Sequence, residues 1–249
     1  RVTAIHRDRK TVSVKELDTG REYDEGYDKL ILSPGASPVM PRSIQGIDQD
    51  QVFAIRNVAD IRAVKARMDT TGVTDVVVVG GGFIGLETAE NLRKAGKHVT
   101  VIEGTDQVMA PFDEDMAQIL HKELIDNGID LYLSTTVTEI GKDTIAAVRE
   151  GKSLMLPAQA VVMSVGVRPE TGLARDCGLE TGETGGIKVN HNYQTTDPDI
   201  YAVGDVIESY NALTHRPGRL ALAGPAQRQA RAAADHIYGM PHNNKGFIG

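Results

Sequence analysis

The sequence predicts an α/β fold built on a parallel sheet, and three stretches carry that prediction. The first is Asp75-Val76-Val77-Val78-Val79, followed by Gly80-Gly81-Gly82-Phe83-Ile84-Gly85-Leu86-Glu87. Four consecutive valines suit a strand buried on both faces. Glycines 80, 82 and 85 keep the G-x-G-x-x-G spacing, and a helical pattern begins at once. The second stretch, Ala158-Gln159-Ala160-Val161-Val162-Met163-Ser164, is another run of buried-strand character. The third, Ile200-Tyr201-Ala202-Val203-Gly204-Asp205, is a short strand closed by a glycine and a carboxylate.

Taken in order, Val2 to Ile5 and Thr11 to Val14 alternate around a charged turn and predict a hairpin, with Glu22-Tyr23 as a third strand. Tyr27 to Leu32 reads as a buried strand running into the small-residue turn Ser33-Pro34-Gly35-Ala36. After Pro38 and Pro41, Asn57-Val58 opens a helix to about Met68. Behind the glycine turn the helix is expected to face Ile84, Leu86, Ala89, Leu92 and Ala95 inward and Lys94 and Lys97 outward, stopping at Gly96. His98 to Ile102 is the next strand. Asp113 to Asn127 has helical periodicity in Met116, Ile119, Leu120 and Leu124, and Ile129 to Leu133 is a further strand. Val137 to Ile140, Thr144 to Val148 and Ser153 to Leu156 form a β-meander, and Gly185 to Val189 a short strand. Leu220 to Tyr238 is a close-packed helix with Pro225 in its first turn.

Composition narrows the function. Hydrophobic residues make up 41% and charged residues 24%, as in soluble globular proteins, and 249 residues suffice for two ordinary domains. A net charge of −7 without basic runs argues against nucleic acid or an anionic membrane as partner. The longest apolar runs are far short of a membrane span, and the first residues do not form a signal peptide. One cysteine, Cys177, excludes an internal disulfide and fits a reducing, cytoplasmic setting. No neighbouring base activates it, so a structural thiol is the better reading. The seven histidines lack metal-ligand spacing, so no metal site is indicated. Ser33, Ser164 and Ser209 lack a nucleophile-elbow context, which argues against a hydrolase. Arg1 begins inside a strand pattern, and the chain reads as a fragment.

The glycine stretch carries chemistry. The first glycine permits a tight turn, the second lets a pyrophosphate approach the backbone, and the third lets helix and strand pack closely. The helix's unpaired N–H groups and its dipole then face the phosphates. Glu103 ends the next strand eighteen residues beyond Gly85, where an acid grips the ribose hydroxyls of a dinucleotide. No Arg or Lys occurs in Gly104 to Gln107 to meet a 2′-phosphate, so NAD(H) is favoured over NADP(H). The Gly204-Asp205 strand end suits hydrogen bonding to a polyol or ribose, or simply caps a turn.

Together, Ser33-Pro34-Gly35, the Gly80 to Glu87 stretch, Gly166-Val167-Arg168-Pro169, Thr196 to Asp205 and Leu220 to Gln229 resemble the FAD-dependent pyridine nucleotide-disulfide oxidoreductases. The similarity is to the branch with coenzyme A-disulfide reductase, NADH oxidase, NADH peroxidase and NADH-dependent polysulfide reductases. It implies two Rossmann-like units with three-layer character, an NAD domain at 57–170 inserted into a split FAD domain at 1–56 and 171–249. By that resemblance Ser33, Pro34, Gly35, Ala36, Gly204, Asp205, Ala221, Leu222 and Ala223 face FAD. Arg56 either approaches FAD or is a solvated charge. Gly80, Gly82, Phe83, Ile84, Gly85, Glu103, Phe112 and Gly166 contact NAD. Glu87 sits near the nicotinamide by resemblance, or is a favourable carboxylate in a first helical turn.

The implied activity is hydride transfer from NADH to FAD and on to a small-molecule disulfide, coenzyme A-disulfide, polysulfide, peroxide or oxygen acceptor, in a homodimeric parent protein. An alternative is reduction of a protein electron carrier, as in ferredoxin or rubredoxin reductases. The family's first FAD-binding glycine motif, its redox cysteine and its dimerisation domain have no match in this sequence. The chain by itself is therefore expected to be inactive, a colourless module that still binds NADH.

Overall fold

A computed structural model describes residues 1–241 and 246–248. The chain forms two compact units, one from Pro38–Val167 and one from Arg1–Ser37 with Arg168–Gly249, so the first is inserted in the second.

The inserted unit is organised on a five-stranded sheet in the order Val52–Ala54, Ala160–Met163, Asp75–Val79, His98–Ile102, Ile129–Tyr132. Every pairing in it is parallel, with Val161 opposite both Val52 and Val77, and Val77 opposite Thr100. The valine run is explained by its surroundings. Val76 and Val78 pack with Val64, Ala89, Leu92 and Leu124 from three helices, whereas Val77 and Val79 pack with Val137, Ile140 and Ile145. Those last residues belong to an antiparallel meander, Thr135–Ile140, Thr144–Arg149 and Lys152–Pro157. Helices, sheet and meander thus make three layers. Each fully buried valine contributes about 1.5–3 kcal/mol relative to exposure.

The helices are Val58–Met68, Phe83–Lys94 and Glu114–Asp126. The first has a capping box, Asn57 accepting from the N–H groups of Ala59 and Asp60 while Asp60 accepts from that of Asn57. Gln159 ties the sheet's lower edge together. Its Oε1 accepts from the N–H of Thr74 at 2.7 Å and of Asp75 at 3.1 Å, and its Nε2 donates to Gly72 O at 2.8 Å. At the same edge His98 Nδ1 lies 2.9 Å from Asp75 Oδ1 and Nε2 lies 3.1 Å from Asp130 Oδ2. The Thr74 hydroxyl, then His98, hold the Asp75 carboxyl below its ordinary range.

The split unit contains the antiparallel sheet Val2–His6, Thr11–Lys15, Glu22–Gly26 and the parallel pair Leu30–Leu32 with Ile200–Ala202. A further sheet joins Ile187–Lys188, Ile207–Asn211 and Arg216–Gly218. Its core gathers Ile5, Val12, Leu179, Ile187, Tyr201 and Ala233. Arg7 straps the hairpin down, donating from Nε to Asp197 at 2.8 Å and from Nη1 to Gly178 O at 3.3 Å. Cys177 packs on this core with its Sγ 3.2 Å from Ala174 O, and burial pushes the thiol pKa up.

Several local expectations need correction. The Leu30–Leu32 strand is short and half-buried, with Ile31 exposed, because its one partner among the described strands leaves a side open. In Phe83–Lys94 the buried residues are Gly85, Thr88, Ala89 and Leu92, and both Ile84 and Ala95 face solvent. The contact of Gly85 with Gly80 sets that rotation. Lys97 is half-buried and donates to Met68 O, at the end of the Val58–Met68 helix, and to Val73 O, both at 2.7 Å. Of the expected apolar positions of Glu114–Asp126, Leu124 is buried, whereas Met116 and Ile119 are exposed and Ala117 and His121 are buried in their place. The changeover between units falls at Ser37/Pro38 rather than near residue 56, because Val52–Ala54 is the edge strand of the inserted sheet.

Candidate functional site

The glycine turn links the central strand to the Phe83–Lys94 helix, at the carboxyl ends of the parallel strands. Each glycine there meets a different environment. Gly80 has φ +109°, and a Cβ on it would lie 2.7 Å from Ser164 C. A Cβ on Gly85 would overlap Gly80 O and lie 3.0 Å from Gly80 C. Gly82 is the exception: it is exposed, has an extended backbone, and a Cβ on it would meet nothing within 4 Å. It is the N-cap residue and supplies no side-chain cap. The turn is therefore locked at its first and third glycines and open at its second, the shape a pyrophosphate needs to reach helix N–H groups.

Glu103 closes the adjacent strand. Its Oε2 accepts from Gly81 N–H at 2.6 Å, and its Oε1 accepts from Thr105 N–H at 2.8 Å and the Thr105 hydroxyl at 2.9 Å. A carboxylate has about four acceptor sites, so room remains for a hydroxyl. The chain then folds back over the turn. Met109 N–H donates to Gly81 O at 2.9 Å, and Val108 packs so closely that a Cβ on Gly81 would lie 2.8 Å from its Cγ1. Phe112 and Phe83 meet edge to face, ring centroids 6.5 Å apart at 81°. They head a groove of about 420 Å³ along the two helices, lined also by Leu86, Glu87, Met109 and Leu120.

Glu87 is the fifth residue of its helix, and the first turn holds no acid. The helix-dipole reading of Glu87 therefore falls away; the side chain is exposed on the groove. Ile84 and Gly166 are exposed, and Gly166 has φ +107° with open space where a Cβ would stand. Arg56 also lies in the inserted unit, exposed, its N–H donating to Asp60 Oδ2 at 2.8 Å.

In the split unit, Ser33-Pro34-Gly35-Ala36 and Gly204-Asp205 follow the two paired parallel strands and so share their carboxyl ends. Val203 N–H donates to Leu32 O at 3.0 Å. Gly35 has φ +76° and Gly204 φ +82°, left-handed conformations that favour glycine. Asp205 is half-buried in the Gly204–Val206 turn. Ala221, Leu222 and Ala223 are exposed where the Ala223–Ile237 helix begins, with Leu222 as its N-cap. Two supporting residues were not singled out in the sequence. Gln229, buried on that helix, accepts Gly204 N–H through Oε1 at 2.7 Å. His121 accepts Val108 N–H through Nε2 at 3.1 Å.

Comparison with known proteins adds to this geometry. A family profile described as pyridine nucleotide-disulphide oxidoreductase matches residues 1–230. The chain is 38% identical over 242 residues to an NADH oxidase of Methanocaldococcus jannaschii, covering 96% of this chain and 53% of that protein. It is 34% identical over 249 residues to a coenzyme A disulfide reductase of Staphylococcus aureus, covering 100% of this chain and 55% of that protein. The crystal structure of reduced Bacillus anthracis CoADR-RHD superposes with a TM-score of 0.94 at 39% identity, covering 99% of this chain and 44% of that one. The chain thus spans about half the length of the curated relatives it matches.

Proposed function

The chain belongs to the pyridine nucleotide-disulphide oxidoreductase family, and we propose that it is the nucleotide-binding part of an enzyme that oxidises NADH through FAD. The observation that carries this reading is the glycine turn, closed at Gly80 and Gly85 and open at Gly82 in front of a helix N-terminus. Those residues fit a dinucleotide, because only the second glycine stands where a phosphate must approach.

In this reading Gly80, Gly82, Phe83, Ile84 and Gly85 hold the pyrophosphate, and Glu103 accepts from the ribose hydroxyls. A 2′-phosphate at Glu103 would meet an acceptor-only carboxylate, with no Arg or Lys in Gly104 to Gln107, which favours NAD(H) over NADP(H). Phe112 and Gly166 flank the nucleotide, and Glu87 orients the nicotinamide. Ser33 to Ala36, Gly204, Asp205 and Ala221 to Ala223 line the FAD, with Arg56 as a further contact. The bound cofactors supply hydride donor and acceptor, and the protein contributes binding and orientation. The electrons pass to a small-molecule disulfide, coenzyme A-disulfide, polysulfide, peroxide or oxygen acceptor, in a cytoplasmic homodimer.

Stopped-flow bleaching of flavin absorbance in the full-length protein, with NADH against NADPH, tests this. Faster bleaching by NADH is expected; equal rates would sink the Glu103 argument, and no bleaching by either would sink the whole reading. For the 249-residue chain, NADH binding without stoichiometric yellow flavin is expected.

A further inference from the structure

The loop from Glu103 to Phe112 brings the proposed ribose acceptor and an aromatic to the glycine turn, yet it lies between elements and has no regular structure of its own beyond turns. Its base is held by Ser134 N–H donating to Thr105 O at 2.7 Å and Thr135 N–H to Glu103 O at 2.9 Å, and its far half by the packing of Val108 and Met109 in the core together with a few bonds. Gly81 N–H donates to Glu103 Oε2 at 2.6 Å, Met109 N–H to Gly81 O at 2.9 Å, and Phe112 N–H to Met109 O at 2.8 Å. Met109 has φ +52°, a left-handed conformation that a residue with a side chain keeps only where its surroundings impose it. The fold-back is a stressed one, held at its far half by core packing and by a tether from outside the loop.

His121 supplies that tether from the Glu114–Asp126 helix. The side chain is 6% exposed, and its Nε2 accepts the N–H of the fully buried Val108 at 3.1 Å. An imidazole nitrogen that accepts from a backbone N–H carries no proton, so the ring is neutral with its proton on Nδ1. Nδ1 lies 3.2 Å from Gln118 Oε1, an acceptor for that proton. Each ring nitrogen thus has one role, and the tautomer is set from both sides. Without the imidazole, a buried backbone donor would have no partner, and such groups are rarely left unpaired. The Val108 turn would swing toward water, taking Met109 off Gly81.

We infer that His121 is the positioning residue of the nucleotide loop: through the Val108 N–H it holds residues 103–112 on the glycine turn and so sets the affinity for the adenosine-ribose half of NADH. This rests on the NAD(H) reading of the glycine turn. His121 touches no ligand in this scheme; it acts through the loop. His121→Leu fills the volume without an acceptor, whereas His121→Gln returns an acceptor oxygen.

The test uses the whole 249-residue chain and titrates NADH and ADP-ribose, which shares the ribose and pyrophosphate but lacks nicotinamide. His121→Leu should weaken both to a similar degree, roughly tenfold for one buried hydrogen bond, and His121→Gln should restore most of the loss. Equal affinity in wild type and His121→Leu would overturn the inference while leaving the NADH reading intact; failure of the wild type to bind NADH would overturn both. Equal loss in both variants would also overturn it, since volume rather than the acceptor would then be at issue. A readout on the wild type alone covers the case where His121→Leu does not fold. Nitrogen-15 spectra of the ring should show a protonated Nδ1 and a bare Nε2; a proton on Nε2 refutes the tether.

Discussion

The contrast between Gly82 and Gly85 separates binding from folding. In Gly85→Ala the new methyl would overlap Gly80 O and lie 3.0 Å from Gly80 C, both backbone atoms of a turn that Ser164 backs on its other side. No flexible side chain can give way, so helix and strand must part. Overpacking of this kind costs about 1–3 kcal/mol or more, against about 1 kcal/mol returned by the better helix propensity of alanine. Because the clash is with backbone atoms the upper end of that range applies, and a net loss of about 2 kcal/mol is expected. In Gly82→Ala the methyl meets nothing within 4 Å and φ is −82°, so the only expected cost is that of a poorer N-cap, about 0.5–1 kcal/mol. In the proposed complex that methyl would instead stand between the pyrophosphate and the helix N–H groups. Hydrogen bonds to a charged group contribute about 1.5–3 kcal/mol each, so NADH affinity should fall by tenfold or more. Urea unfolding followed by circular dichroism reads the first quantity. Titration of NADH fluorescence reads the second, in a chain without tryptophan to interfere. If Gly82→Ala binds NADH within twofold of wild type, the pyrophosphate does not lie on this turn. If Gly85→Ala matches wild type in urea, the close approach of helix to strand is wrong.

Glu103→Gln should remove a charged acceptor from Gly81 N–H and from the ribose, weakening NADH by about tenfold and NADPH less; dissociation constants for both decide it, and an unchanged ratio would contradict the assigned role. Acid should destabilise both units. Asp75 is held low by Thr74 and His98; burial pushes Asp197 up, but Arg7 and the Asp199 N–H together outweigh it and hold it low. Carboxyls lowered in the folded state contribute stability above their ordinary value of 3.8 and lose it as pH falls through the depressed folded value. Urea midpoints should therefore drop below that range, and Asp75→Asn should flatten the drop in the inserted unit; an unchanged acid profile in that variant would count against it. Cys177, with its thiol pushed up by burial, should react with iodoacetamide far more slowly in native than in urea-unfolded chain, as mass spectrometry would show.

What was legible in the sequence is what local geometry dictates. The valine run and glycine spacing state their own surroundings, since only a doubly covered strand tolerates the first and only a tight turn needs the second. The meander and hairpin followed from alternation and turn residues. The loop after Glu103 was not legible, because its shape depends on a histidine eighteen residues on, and hydropathy assigns such a residue to the surface. Burying His121 rotates its helix, which is why Met116 and Ile119 point outward against the apolar pattern. Glu87 needed the helix start fixed to within a residue before the dipole argument could be weighed. The unit boundary was hidden for a similar reason: Val52–Ala54 joins the inserted sheet through pairing with residues about a hundred positions later.

The two ends of the inserted unit meet. Val39 N–H donates to Gly166 O at 2.9 Å, next to the points where the chain enters and leaves. Bringing together the ends of a flexible 130-residue segment carries an entropy term of about 4 kcal/mol. Once the insert has folded, that term is already met, and Leu30–Leu32 finds Ile200–Ala202 as though the intervening segment were a short bridge. A contact that is remote in sequence becomes local in time, which lowers the barrier that topology sets on folding speed. The inserted unit thus returns the chain close to where it left the unit it interrupts.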